Sequence, residues 1–138
     1  MSEVETKAYE TIYERAFREI DEAIEKRDWF LGFANSVTYF EHFGYWLLRW
    51  YCIKEKVDIS DRLKNLRVST IALMLYLLRL IDTNTFTKIN TIVKERNKLI
   101  HPAEVGLRYR DRKEKERATE LLKDAKLCIT KLKERIGH

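Results

Sequence analysis

Apolar side chains recur along this chain every three or four residues. Tyr9, Ile12, Tyr13, Phe17, Ile20 and Ile24 keep that spacing with charges between them, which predicts an amphipathic helix from Glu3 to about Lys26. Asp28 is placed to cap a second helix from Trp29 to about Lys56, aromatic on more than one face. It carries Trp29, Phe30, Phe33, Tyr39, Phe40, Phe43, Tyr45, Trp46, Trp50 and Tyr51, ten of the sixteen aromatic residues in the chain. A helix apolar nearly all round must be buried on several sides, either centrally in a bundle or against a second copy. Gly32 and Gly44 on this helix could let neighbouring helices approach closely, or could be merely tolerated there.

The segment VDIS forms a short connection, and Asp58 or Ser60 can cap a third helix ending near Ile81. DTNT forms another, with Asn84 or Thr85 as the cap of a fourth helix. On that helix Phe86, Ile89, Ile92, Val93, Arg96 and Ile100 share one face, and Pro102 stops it because the residue before a proline is pushed from the α region. A looser piece, AEVGLRYR, precedes a fifth helix from about Asp111 to Ile136, with Leu121, Leu122, Ala125, Cys128, Ile129, Leu132 and Ile136 inward. Short loops between long helices make neighbours antiparallel, so the expected fold is all-α: an up-and-down bundle of four to five helices in a single domain, 1–138.

Composition agrees, since four glycines and one proline leave few helix breaks. The 27 basic and 22 acidic residues give a net charge of +5 and a pI near 9.2, a modest excess that favours encounters with polyanions. Cys52 and Cys128 lack the close pairing of a zinc or redox motif and read as reduced packing residues. The acidic, polar N-terminus does not resemble a secretory leader, so a cytoplasmic location is expected. The most apolar run, Val68 to Leu78, falls well short of the roughly 20 residues that span a bilayer, so no membrane association is expected. Absence of Gln beside abundant Lys and Glu is a bias of proteins from hot environments, hence an expectation of thermophily.

One charged residue interrupts the apolar face of the fourth helix. Arg96 follows Ile92 and Val93 by one turn and precedes Ile100 by another, and a charge on such a face needs a partner or a task. Asn97 and His101, four apart, are neighbours if the helix lasts through His101, and an amide at that spacing orients an imidazole and selects its tautomer. A planar cation, an orienting amide and a group titrating near neutrality are the ingredients for cleaving an RNA phosphodiester without a metal. The 2′-hydroxyl attacks phosphorus, Arg96 stabilises the charge on the non-bridging oxygens, and His101 acts as general base or acid. One histidine cannot conveniently do both, whereas a symmetric dimer supplies two. A basic residue in the last turn of a helix also interacts favourably with the helix dipole and needs no function.

The run RNKLIH, from Arg96 to His101, in a late helix of a small all-helical bundle, resembles the signature of HEPN domains (higher eukaryotes and prokaryotes nucleotide-binding). That signature is an Arg followed after four to six residues by His, usually with a polar residue directly after the Arg; Arg96, Asn97 and His101 match its three positions. The resemblance implies a homodimer with both motifs in one cleft, and a metal-independent endoribonuclease acting in toxin–antitoxin, antiviral or RNA-processing systems. It also implies a small nucleotidyltransferase as a possible antitoxin partner. In toxins controlled that way a Tyr often stands two residues after the His and is adenylylated, whereas here that position is Ala103. Family members that have lost catalysis supply the alternative, a non-catalytic module binding a nucleotidyltransferase or a nucleotide. A third reading is a helical dimer whose Arg96 is held by a carboxylate such as Glu41.

The basic stretch from Gly106 to Arg117 directly follows. In it Arg108, Tyr109 and Arg110 could track an RNA backbone with Tyr109 stacked on a base, or the stretch could be a solvated helix start with Arg110 pairing to Glu114. Glu41, His42 and Arg49 interrupt the aromatic helix and could support a site from behind; Glu41 and His42, being adjacent, do not share a helix face, so a metal site is not expected there and exposed positions are. No glycine-rich phosphate loop, nucleophile elbow or zinc spacing occurs, and no cofactor or metal is expected.

Overall fold

A computed structural model describes residues 2–58, 60–100 and 108–138, and for 60 and 61 it describes the backbone alone. Among the described residues the regular structure is entirely helical, arranged as the expected all-α bundle. The elements are α1 (Glu3–Lys26), α2 (Trp29–Lys54), a single turn α3 (Ser60–Leu63), α4 (Val68–Leu77), α5 (Thr83–Lys98) and α6 (Arg112–Arg135).

Sequence chemistry sets most of these boundaries. Ser2 caps α1 by accepting from the Glu5 N–H at 3.2 Å, and Asp28 caps α2 by accepting from the Leu31 N–H at 3.2 Å. Between them Arg27 takes a left-handed conformation (φ 54°), from which its N–H and that of Asp28 satisfy the last carbonyls of α1. The turn is therefore short, and α1 folds back on α2.

The aromatic helix α2 is the centre of the bundle, packed by α1, α4, α5 and α6. Phe33, Phe40 and Phe43 are fully buried in it, each contributing about 1.5–3 kcal/mol by leaving water. Both glycines mark close approaches: a Cβ built on Gly32 would lie 2.7 Å from Leu122 Cδ1, and one on Gly44 would lie 2.7 Å from Ile71 Cγ2. Most of the aromatic excess is thus consumed within the chain, so the aromatics of α2 no longer argue for a second copy. Large apolar side chains remain exposed elsewhere, notably Leu73 and Leu77 on the outer side of α4, a helix with no charged residue.

The expected boundaries of the third and fourth helices differ, the third ending at Leu77 and not near Ile81. The third helix is split, because the chain turns at 64–67 and restarts at Val68 after an extended Arg67 that offers no side-chain cap. Asn65, a poor helix former, falls in that turn, and the two pieces still bury Leu63 and Val68 in the core. The cap of the fourth helix is Asp82, whose Oδ1 accepts from the Thr85 N–H at 2.7 Å, and not Asn84 or Thr85. Its carboxyl is held below the usual carboxylate range, chiefly by that backbone hydrogen bond.

Candidate functional site

Helix α5 carries Arg96 and Asn97 on its last turn. Its inward face is Thr85, Ile89, Ile92, Val93 and Glu95, followed by the buried Leu99 just beyond the helix. The charge on the buried face is therefore Glu95, at 1 % exposure, and not Arg96, which is only partly buried. The expected face took Ile100 as its last apolar position, but the helix ends at Lys98 and Ile100 is 57 % exposed. Moving the last position from Ile100 to Leu99 rotates the face by one residue and brings Glu95 inward.

Glu95 is the hub of a polar cluster drawn from three parts of the chain. Its Oε1 accepts from the Tyr109 hydroxyl at 2.5 Å and lies 3.6 Å from Arg108 Nη1. Its Oε2 lies 3.4 Å from Arg117 Nη1 and 3.8 Å from Lys98 Nζ. Tyr109 itself is buried, with its ring centroid 6.0 Å from that of Trp29 and 6.2 Å from that of Phe33. Burial, and then the hydrogen bond to Glu95, push its hydroxyl well above the ordinary tyrosine range, so it remains a donor. The base-stacking role expected for Tyr109 is corrected by this burial: the ring is packed against α2 and faces no solvent.

The backbone around Tyr109 is equally constrained. Tyr109 has φ 60°, a left-handed value uncommon for a residue with a side chain, and its N–H donates to Glu114 Oε2 at 2.7 Å. The Arg110 N–H donates to the same oxygen at 3.3 Å, so Glu114 engages the backbone of Arg110. Asp111 caps α6 by accepting from the Glu114 N–H at 2.7 Å. Arg108 is partly buried and Arg110 exposed.

Arg96 Nε donates to Asn97 Oδ1 at 3.1 Å. The amide of Asn97 thus orients the guanidinium, and among the described residues no carboxylate pairs with it. His101 lies outside the described residues, as does Ala103. Because α5 ends at Lys98, the helical spacing that would make Asn97 and His101 neighbours does not extend to His101. Glu41 and His42 are exposed as expected; His42 stacks on Trp46 with centroids 5.8 Å apart, and Glu41 does not reach Arg96.

Cys52 and Cys128 are both buried and unpaired, and burial pushes the Cys128 thiol up to about 12, which removes it as a nucleophile near neutrality. Among the described residues no cluster of His, Cys, Asp and Glu could hold a metal ion, and no helix is long and apolar enough to cross a membrane. A broad surface depression of about 770 Å³ between α1 and α6 is lined by Arg27, Trp29, Arg112 and Lys123 among others; it does not include Arg96.

No protein-family model, curated protein or solved structure matches the chain.

Proposed function

We propose that this chain is a metal-independent endoribonuclease of HEPN type, cleaving single-stranded RNA in a cleft between two copies. The observation that supports the reading best is the state of Arg96: a guanidinium at the exposed end of α5, oriented by Asn97 through one nitrogen and neutralised by no carboxylate among the described residues. An arginine held for structural reasons would be expected to pair with a carboxylate such as Glu41, and it does not. Its remaining donors suit the non-bridging oxygens of a phosphodiester, where charge builds as the 2′-hydroxyl attacks.

In this mechanism His101 takes the hydroxyl proton or protonates the leaving 5′-oxygen, and the second copy supplies the complementary histidine. The uncharged outer side of α4, with Leu73 and Leu77, packs beside α5 and is the surface we assign to the second copy. The products are a 2′,3′-cyclic phosphate and a 5′-hydroxyl, with no oxidant, metal or cofactor required. Incubating a mixed-sequence single-stranded RNA with the purified protein in excess EDTA, and identifying the product ends, tests the reaction class. Cyclic-phosphate ends are expected, and RNA left intact at high protein concentration would sink the proposal.

The alternative is a catalytically silent module that binds a nucleotidyltransferase partner or a nucleotide through the same region. Ala103 in place of the modified tyrosine argues against control by adenylylation in either case.

A further inference from the structure

Three aromatic rings border one hollow near the carboxyl end of α2. Tyr9 of α1 and Trp46 and Trp50 of α2 line a depression of about 490 Å³, with Ile53 and Ile136 adding to its apolar wall. Trp46 and Trp50 are four residues apart and so share one side of their helix. All three rings are only partly buried, unlike Phe33, Phe40 and Phe43, and Ile53 is 65 % exposed. Aromatic side chains left partly in water around a concave surface forgo burial energy that a ligand with a flat apolar face recovers. The rings are also held in place. Tyr9 and Trp46 lie with centroids 4.8 Å apart, Phe43 meets Trp46 edge-on at 5.2 Å, and His42 stacks on Trp46 at 5.8 Å. Rings already ordered cost little to fix when a ligand arrives.

The polar groups of the hollow discriminate among ligands. Arg49 and Glu5 both line it. Burial pushes the Tyr9 hydroxyl up, Glu5 adds to that and Arg49 opposes it, so both charges lie near that ring. The Lys54 ammonium sits over the Trp50 ring, 5.0 Å from its centroid. A cationic ligand would compete with Lys54 for Trp50 and be repelled by Arg49. A purely apolar segment would cover the Arg49 guanidinium and the Tyr9 hydroxyl and give neither a partner. A nucleobase offers a π-face to the rings and donors and acceptors along its edge, and the phosphate that follows it suits Arg49.

We infer that the hollow lined by Tyr9, Trp46, Trp50 and Arg49 holds a base of single-stranded RNA by stacking, with Arg49 on the adjoining phosphate. This rests on RNA being the substrate of the proposed reaction. It assigns to the exposed rings of α2 the stacking role that the buried Tyr109 does not fill. Tyr109, bonded to Glu95, packs on Phe33 near the start of α2, and Trp50 lies about 25 Å further along that helix at 1.5 Å per residue. The base held is therefore remote from Arg96, and the hollow acts in binding and not in the chemical step.

The test is fluorescence anisotropy with a labelled, 2′-O-methylated single-stranded RNA of about a dozen nucleotides, which binds but cannot be cleaved, titrated across a series of KCl concentrations. Wild type is compared with Trp50→Leu, Trp50→Phe, Arg49→Ala and, as a control, Lys7→Ala at an exposed position of α1. Losing a stacked base weakens binding about five- to 150-fold, and the slope of log affinity against log salt stays as it was because stacking releases no counterion. Losing a phosphate contact lowers that slope by about 0.7. Trp50→Leu is expected to do the first and Arg49→Ala the second, with unchanged helical circular dichroism. Trp50→Phe should recover most of the affinity, and Lys7→Ala should lose none. Wild type that does not bind, Trp50→Leu that binds as wild type does, or Trp50→Phe no better than Trp50→Leu overturns the site. Arg49 is exposed, so Arg49→Ala reads the site even if Trp50→Leu loses its helical signal, and an unchanged slope there overturns it as well. Binding that needs Trp50, alongside ordinary RNA that is never cut, keeps the site and removes the ribonuclease; RNA cut by wild type, with affinity unchanged in Trp50→Leu, does the reverse.

Discussion

Glu95 and Tyr109 stand 14 residues apart and meet through a 2.5 Å hydrogen bond that closes a chain loop containing the whole of the run from Arg96 to His101. Both are buried, so the bond is shielded from water, and its acceptor carboxylate also lies within 4 Å of Lys98, Arg108 and Arg117. It ties the end of α5 to the start of α6, on the two sides of the motif.

Tyr109→Phe keeps the ring against Trp29 and Phe33 and removes only the hydroxyl. A hydrogen bond to a charged group contributes about 1.5–3 kcal/mol, so the variant is expected to be less stable by about that amount in urea unfolding near neutral pH. The folded Tyr109 titrates above its unfolded value of 10.0, so its contribution is fully present below that pH and is lost as pH rises toward the folded value. The stability gap between wild type and Tyr109→Phe should therefore narrow above pH 10; a gap that is absent near neutrality would contradict the bond's contribution.

Asp82 anchors the other end of α5. Its folded pKa lies below the unfolded value of 3.8, so the cap is fully effective above that pH and fails as pH falls through the folded value. Asp82→Ala should lower the melting temperature near neutrality, and the difference from wild type should shrink in acid below about pH 4. A difference independent of pH would show that the carboxylate charge is not what caps the helix.

The two glycines of α2 should respond unequally to alanine. At Gly32 the added methyl meets the far end of Leu122 at 2.7 Å, a flexible tip, and Ala23 Cβ at the looser 3.3 Å, whereas at Gly44 the 2.7 Å contact is a branched methyl of Ile71 fixed at χ1. Gly44→Ala is expected to cost about 1–3 kcal/mol from overpacking, partly offset by about 1 kcal/mol of helix propensity. Gly32→Ala should be the milder of the two in a denaturant series, and equal effects would contradict the difference in packing.

If α4 is the face between copies, replacing Leu73 and Leu77 together by Glu should convert a dimer to a monomer in analytical ultracentrifugation with the helical signal intact. An unchanged mass would place the contact elsewhere.

Helical class, the bounds of α1, the central aromatic helix and the close approaches at Gly32 and Gly44 were legible from apolar spacing and capping chemistry, because these are local or depend on one face. Asp28 announced a cap by type and place; Asp82 did so equally, but Asn84 and Thr85 beside it offered the same chemistry. The candidate site was legible in part. Arg96 and Asn97 stood out by residue type, and the structure sets them against one another. Glu95 was missed because an exposed Glu in a helix is ordinary, and its burial follows only once Leu99, and not Ile100, is known to end the inward face. Nor could spacing bring Arg117 and Lys98 to one carboxylate, since that depends on how α6 packs against α5.

The most direct test of the ribonuclease reading is single-turnover cleavage of one single-stranded RNA in EDTA by wild type, Arg96→Ala and His101→Ala, each with a matching helical spectrum and mass. Wild type should cleave, and each variant should be slowed at least about a hundredfold, the usual scale for losing an acid–base group or an oxyanion stabiliser. Cleavage by His101→Ala or Arg96→Ala at the wild-type rate would contradict the account, assigning the activity to other residues or to a contaminant.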